Sequence, residues 1–234
     1  QWTDEGTILM LADRAEVWEV TPGGEEVFRV SRGSDFDLPV HHDAFKRNGY
    51  IYALNGDVFD NDAGDEFVLD GFYVFDETGT LLAEWSLTDH LDGIELTGTG
   101  SGMGGFWGND FPGAIDFSHA NGAYVDDEGD VYISFRWFDG VYRVEGDPTA
   151  PDFGEVRWRL LGSSDMGVEG DFTIVTAVGG EANLDGQHHA ALADDGSLTV
   201  YDNRRGPERS RTVRMELDED AGVATIVETH ELPK

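Results

Sequence analysis

Glu128-Gly129-Asp130-Val131-Tyr132-Ile133-Ser134-Phe135, then Val141-Tyr142-Arg143-Val144, then Gly154-Glu155-Val156-Arg157-Trp158-Arg159-Leu160 is the stretch that decides the fold. Each run is short, rich in β-branched and aromatic residues, and bounded by turn-forming residues, which is what a pleated strand needs. Two other segments repeat its grammar: a histidine, a turn glycine seven to ten residues on, an alternating strand, then further strands. Upstream, His42 leads through Asn48-Gly49 into Tyr50-Ile51-Tyr52-Ala53-Leu54; after an insertion, Phe72-Tyr73-Val74-Phe75-Asp76 runs through Thr78-Gly79 to a strand over 81–87. Downstream, His188 leads through Asp195-Gly196 into Ser197-Leu198-Thr199-Val200-Tyr201, then to strands over 212–217 and 224–227. Residues 7–10, 16–20 and 26–30 read as part of one more unit.

Helical periodicity is scarce, so the chain reads as all-β. Units of about four strands that bury their faces against their neighbours are the blades of a β-propeller. The expected blade-like units lie near 1–36, 37–93, 116–164 and 185–233 of one domain spanning 1–234. Trp85 follows Gly79 by six residues and Trp158 follows Gly154 by four; both offsets are even, so both rings share a strand face and are expected to pack between units. Three units and a fragment cannot close a ring, because propellers have roughly four to eight blades. The reading therefore expects further blades from the rest of a longer chain, or association of copies into a homo-oligomer.

Composition narrows the function. The chain has 234 residues, 48 acidic and 15 basic, for a net charge of −33. With 39% hydrophobic and 12% aromatic residues it buries a core, which excludes a disordered acidic tail. Its field repels phosphate backbones, so no nucleic acid partner is expected. No apolar run approaches the roughly 18 residues of a membrane-spanning helix, so no membrane span is expected. Lys46 and Lys234 are the only lysines, a composition that suits a salt-rich medium. The chain has no cysteine, which removes thiol catalysis, thiolate metal sites and disulfides. It begins at Gln1 with neither Met nor a signal-type segment, and a processed or excerpted chain is expected.

In a propeller the first strand of each blade lines the central channel, so residues at one blade-relative position converge on the axis. His42, His119 and His188 hold that position. The plain alternative is that each only bonds a blade-capping turn; three of seven histidines at one position favours chemistry. Arg136, at the end of Ser134-Phe135-Arg136-Trp137, offers a planar cation to an oxyanion, its alternative being an ordinary salt bridge. On so acidic a chain an anionic substrate requires such a local cationic pocket.

The same residues resemble the bacterial arylsulfate sulfotransferases. The resemblance rests on His41-His42-Asp43 before an Asn-Gly turn, Trp85-Ser86-Leu87-Thr88-Asp89-His90-Leu91-Asp92, and Asp116-Phe117-Ser118-His119-Ala120-Asn121. It continues in Ser134-Phe135-Arg136, Gly154-Glu155-Val156-Arg157-Trp158-Arg159-Leu160, Gln187-His188-His189, and Tyr201-Asp202-Asn203 followed by Ser210-Arg211. It implies a propeller, six-bladed in that family, and an exported, periplasmic or extracellular protein. The implied activity moves a sulfuryl group from a phenolic sulfate ester to a phenol through a sulfohistidine, with aryl sulfate and phenol as the small-molecule partners and no cofactor. By resemblance the sulfuryl-accepting histidine falls on His188, the other site histidines on His42 and His119, the His-x-Asn element on His119 and Asn121, and the arginine on Arg136. His189 stands where the family usually has Asp, and is placed with Asn121 among the substrate-binding residues. Covalent transfer of this kind splits one hard step into two, a second histidine protonates the leaving phenolate, and the arginine stabilises the transferring oxygens. The other reading is a non-catalytic propeller, a scaffold that binds a ligand or a protein.

Weaker signals remain. No metal is expected at the main site; Asp60, Asp62 and Asp65 form a weak calcium candidate whose alternative is an acidic hairpin tip. Gly100, Gly102 and Gly105 match a dinucleotide fingerprint without its strand–helix context, and are rejected. Residues 92–113, around Phe106-Trp107, read equally as an aromatic lid or a surface insertion. Arg204, Arg205, Arg209 and Arg211 are expected to neutralise nearby carboxylates.

Overall fold

The computed structural model describes residues 1–61, 63–96, 105–162, 169–204, 206 and 208–232, and the described chain is all-β. Gly100 and Gly102 of the rejected fingerprint, Asp62 and Arg205 lie outside the described residues. The chain divides into two compact units, one of residues 1–92 and 96–120, the other of 93–95 and 121–234.

The first unit opens with a three-stranded antiparallel sheet of β1 (Ile8–Ala12), β2 (Glu16–Val20) and β3 (Glu26–Ser31). Its second sheet runs β4 (Val40–Arg47), β5 (Tyr50–Asp60), β6 (Glu66–Asp76) and β7 (Leu81–Ser86), with the short β8 (Ile115–Asp116) pairing in parallel beside β6. Arg47 pairs with Tyr50 across Asn48-Gly49, whose φ values of 54° and 80° are the left-handed pair that a two-residue hairpin demands. The insertion foreseen after Leu54 is the same hairpin prolonged, since β5 and β6 stay in register from Tyr50–Asp76 to Asp60–Glu66. Its tip is an Asx-type turn in which Asn61 Oδ1 accepts the amides of Ala63 and Asp65. Residues 67–75 of β6 are all buried, Asp70 among them, so the strand is covered on both faces and does not alternate. Tyr73 lies in this core and its hydroxyl accepts the Leu38 amide; burial pushes the phenol up to about 12.

The second unit holds a four-stranded sheet in the order β12 (Val156–Leu161), β11 (Gly140–Glu145), β10 (Asp130–Phe135) and β9 (Ala120–Val125). Its other sheet is β13 (Thr173–Thr176), β17 (Val223–Glu231), β16 (Arg211–Asp218), β15 (Leu198–Asp202) and β14 (His188–Leu192). β13 joins β17 in parallel, bringing in residues from before the histidine segment. One core, including Tyr132, Val141, Trp158, Leu160, Leu198 and Val213, serves both sheets. Trp158 packs there edge-on against Tyr132 and Phe172, while Trp85, in the first unit, stacks on Phe72 and His90.

Candidate functional site

In the first unit, Val40 pairs with Asn55 and Ala44 with Ala53, so three residues of β4, His41-His42-Asp43, stand opposite the single Leu54 of β5 and bulge. Bulges re-aim side chains at the cost of local pairing. Here the bulge puts His42 at φ 52°, a left-handed conformation that non-glycine residues rarely adopt. His41 is buried, with Nε2 lying 2.9 Å from Asn55 O and 3.0 Å from Asp70 Oδ1. Both neighbours are acceptors, so Nε2 of His41 carries the proton. In its neutral form His41 then accepts at Nδ1 from His42 Nδ1–H, 2.8 Å away, which leaves the His42 lone pair on Nε2.

His119, also left-handed at φ 52°, immediately precedes β9. Its Nδ1 lies 2.5 Å from Asp116 Oδ2, and Trp107 Nε1–H donates to the other oxygen at 3.1 Å. The carboxylate fixes the proton on Nδ1 and the lone pair on Nε2, as at His42. The two rings lie 5.0 Å apart between centroids. Asp70, fully buried, links their segments: its Oδ1 lies beside His41 without a hydrogen bond, while its Oδ2 receives the Ser118 hydroxyl and, at 2.8 Å, the Ala120 amide.

Phe106 covers this cluster. Its ring centroid is 4.6 Å from His42 and 5.1 Å from His119, and the Arg14 guanidinium sits 3.7 Å from it. Arg14 also donates to Phe106 O and to Asp110, whose second oxygen takes Arg32. Trp107 is buried against Gly56, where a Cβ would stand 2.6 Å from the indole. The aromatic pair foreseen around 106–107 thus lies against the histidines, held by arginines the sequence had not flagged. Asp116 stood inside a quoted motif, but its pairing with the histidine three residues on was missed; that spacing was the available signal.

In the second unit, Asn121 and Gln187 organise the segment that bears His188 and His189. Asn121 Nδ2 donates to Gln187 O at 2.8 Å. Gln187, wholly buried, donates from Nε2 towards Ser134 Oγ, Phe135 O and Gly140 O at 3.2, 2.9 and 2.6 Å. Gly186 N–H donates to Asp139 Oδ1 at 2.7 Å. His188 opens β14 opposite Tyr201, and pairing then shifts before resuming at Ala191. It is His189 that takes the left-handed φ, 46°. A Cβ on Gly122 would stand 2.6 Å from the His189 Cα, so β9 approaches β14 there at backbone distance. Arg136 sits in the turn between β10 and β11, its guanidinium 4.9 Å from the Trp137 ring; its Nε is buried without an acceptor, and no carboxylate pairs with it among the described residues.

Arg204 pairs with Glu208 and Glu231, and Arg211 with Asp202, as expected of a neutralising cluster. Among the described residues no group of three or more His, Asp or Glu side chains is arranged to hold a metal ion, and no helix is long and apolar enough to cross a membrane.

With histidines set by carboxylate and carbonyl partners on an all-β frame, comparison with known proteins becomes informative. The family model described as arylsulfotransferase (ASST) matches residues 1–228. The chain belongs to the arylsulfotransferase family. No curated protein matches it. Among solved structures, a candidate 6-phosphogluconolactonase of Bacteroides fragilis aligns at 12% identity with a TM-score of 0.43, over 98% of this chain and 56% of that one. The chain therefore spans just over half the length of that protein.

Proposed function

We propose that the protein moves a sulfuryl group from an aryl sulfate ester to a phenol through a sulfohistidine, on a propeller framework and outside the cytoplasm, in the periplasm or beyond. His188 is the acceptor of the group. Its imidazole nitrogen attacks sulfur, the N–S bond forms as the S–O(aryl) bond breaks, and the phenolate leaves with a proton from His42 or His119. In the second half the acceptor phenol gives its proton back to that histidine and attacks sulfur, and the N–S bond breaks. Arg136 holds the equatorial sulfuryl oxygens, with Asn121 and His189 beside the substrate.

The observation that supports this best is Arg136. In a chain of net charge −33, a guanidinium with no carboxylate partner among the described residues leaves positive charge for an anion, and it stands one residue after a backbone carbonyl bound by the residue preceding His188.

The test is to incubate the full-length protein carrying this chain with 4-nitrophenyl sulfate and no acceptor, under conditions that spare N–S bonds. A stoichiometric release of nitrophenolate with added mass on the peptide bearing His188 is expected. Absence of both release and adduct would overturn the reading in favour of a binding scaffold.

A further inference from the structure

Gln187 has a wholly buried side chain whose Nε2 reaches three acceptors, two of them the carbonyls of Phe135 and Gly140. Three oxygens around one terminus settle the amide orientation, since the flipped group would set oxygen against oxygen. The carbonyls bracket the turn of residues 136–139, so one carboxamide staples both ends of the turn that carries Arg136. The residue after Gln187 is His188, and the residue after Phe135 is Arg136. Asp139 fastens the same turn from its far end through Gly186 N–H. From the other side, Asn121 holds Gln187's own carbonyl. Gln187 Oε1 is buried with no donor. A side chain kept only to fill space would avoid that desolvation cost by being apolar, so the N–H2 group accounts for the residue.

We propose that Gln187 is a positioning residue for sulfuryl transfer: its carboxamide sets the distance between the Arg136 turn and the His188 segment, so that the guanidinium meets the sulfuryl oxygens when the histidine meets sulfur. The proposal rests on the transferase reading above. Gln187 touches neither donor nor acceptor, so its loss acts on the chemical step and leaves donor binding nearly unchanged.

The experiment uses the full-length protein and 4-nitrophenyl sulfate, with active sites counted by the nitrophenolate burst so that misfolded protein is excluded from the rate. Gln187→Met keeps length and removes both donors; kcat per active site should fall on the order of 10²-fold with KM within about twofold. In an Arg136→Ala background the same change should cost less than about threefold, because the relationship it maintained is already gone. Gln187→Glu, nearly isosteric, donates one hydrogen bond only when protonated, so its kcat relative to wild type should climb as pH falls. An unchanged kcat per active site in Gln187→Met, or an equal loss with and without Arg136, overturns the proposal. If Gln187→Met does not fold, Gln187→Glu decides, and a ratio flat with pH overturns it. A wild-type protein with no burst removes the transferase reading and this proposal with it, an outcome distinct from a normal wild type with indifferent variants.

Discussion

His119 Nδ1 lies 2.5 Å from Asp116 Oδ2, and the other oxygen of that carboxylate takes the Trp107 indole N–H at 3.1 Å. Replacing Asp116 by Asn keeps an oxygen for Trp107 and turns the amide N–H2 towards His119. The imidazole must then accept at Nδ1 and carry its proton on Nε2, losing the lone pair that a general base needs. For Asp116→Asn the expected result is a kcat lower by on the order of 10²-fold with a folded protein, read from steady-state kinetics and circular dichroism. An unchanged kcat would show that His119 does not act through Nε2.

The neighbouring histidines of β14 separate by backbone. His42 and His189 each precede a turn glycine of φ 80° by seven residues, and both are left-handed, whereas the repeat read from the sequence aligns His188 with His42. The transferase reading predicts that His188→Asn abolishes the sulfuryl adduct and that His189→Asn slows turnover while the adduct still forms. Fragmentation of the labelled peptide in both variants checks this, and the reverse pattern would exchange the two roles.

Gly122 tests the close contact of β9 with β14. An alanine methyl would stand 2.6 Å from the His189 Cα and 3.0 Å from its amide nitrogen, both backbone atoms that cannot swing aside. Gly122→Ala should therefore destabilise the protein by about 1–3 kcal/mol, and lower activity beyond the loss of folded material because His189 is displaced. Urea denaturation gives the first quantity and rate per active site the second.

The all-β class was legible because turn chemistry and strand composition are local. Asn48-Gly49 can hardly be read otherwise than as a hairpin turn, and the run 72–76 lies within β6. What escaped was non-local: the parallel pairings of β8 with β6 and of β13 with β17 join strands separated by long stretches of chain, and no pattern within either strand announces its partner. The histidines were visible as recurring residues, but their tautomers were not, because Asn55 O and Asp70 reach His41 through the fold. Phe106 was singled out by its glycine-rich surroundings; Arg14, whose guanidinium lies 3.7 Å from the centre of that ring, is visible only in three dimensions. Gln187 was quoted as part of a motif, and its three buried acceptors explain the amide there.

Alkaline pH should loosen the fold through three phenols. Burial pushes Tyr73 and Tyr142 up to about 12 each, against an ordinary value of 10.0, and raises the Tyr132 phenol further still. Between those values the unfolded chain has released the phenolic protons while the native protein still holds them, so the unfolded state binds fewer protons and stability falls as pH rises. For Tyr73 and Tyr142 the contribution is intact below pH 10 and is lost progressively towards pH 12, amounting to roughly 3 kcal/mol for each. Absorbance at ~295 nm should show Tyr73, Tyr142 and Tyr132 ionising late, and urea midpoints taken across the same range should fall together with them. Tyr73→Phe and Tyr142→Phe should each flatten part of that decline. The Tyr73 change also leaves the Leu38 amide without its hydroxyl acceptor, so its stability at neutral pH should drop by about 1 kcal/mol, a cost the Tyr142 variant does not share by that route.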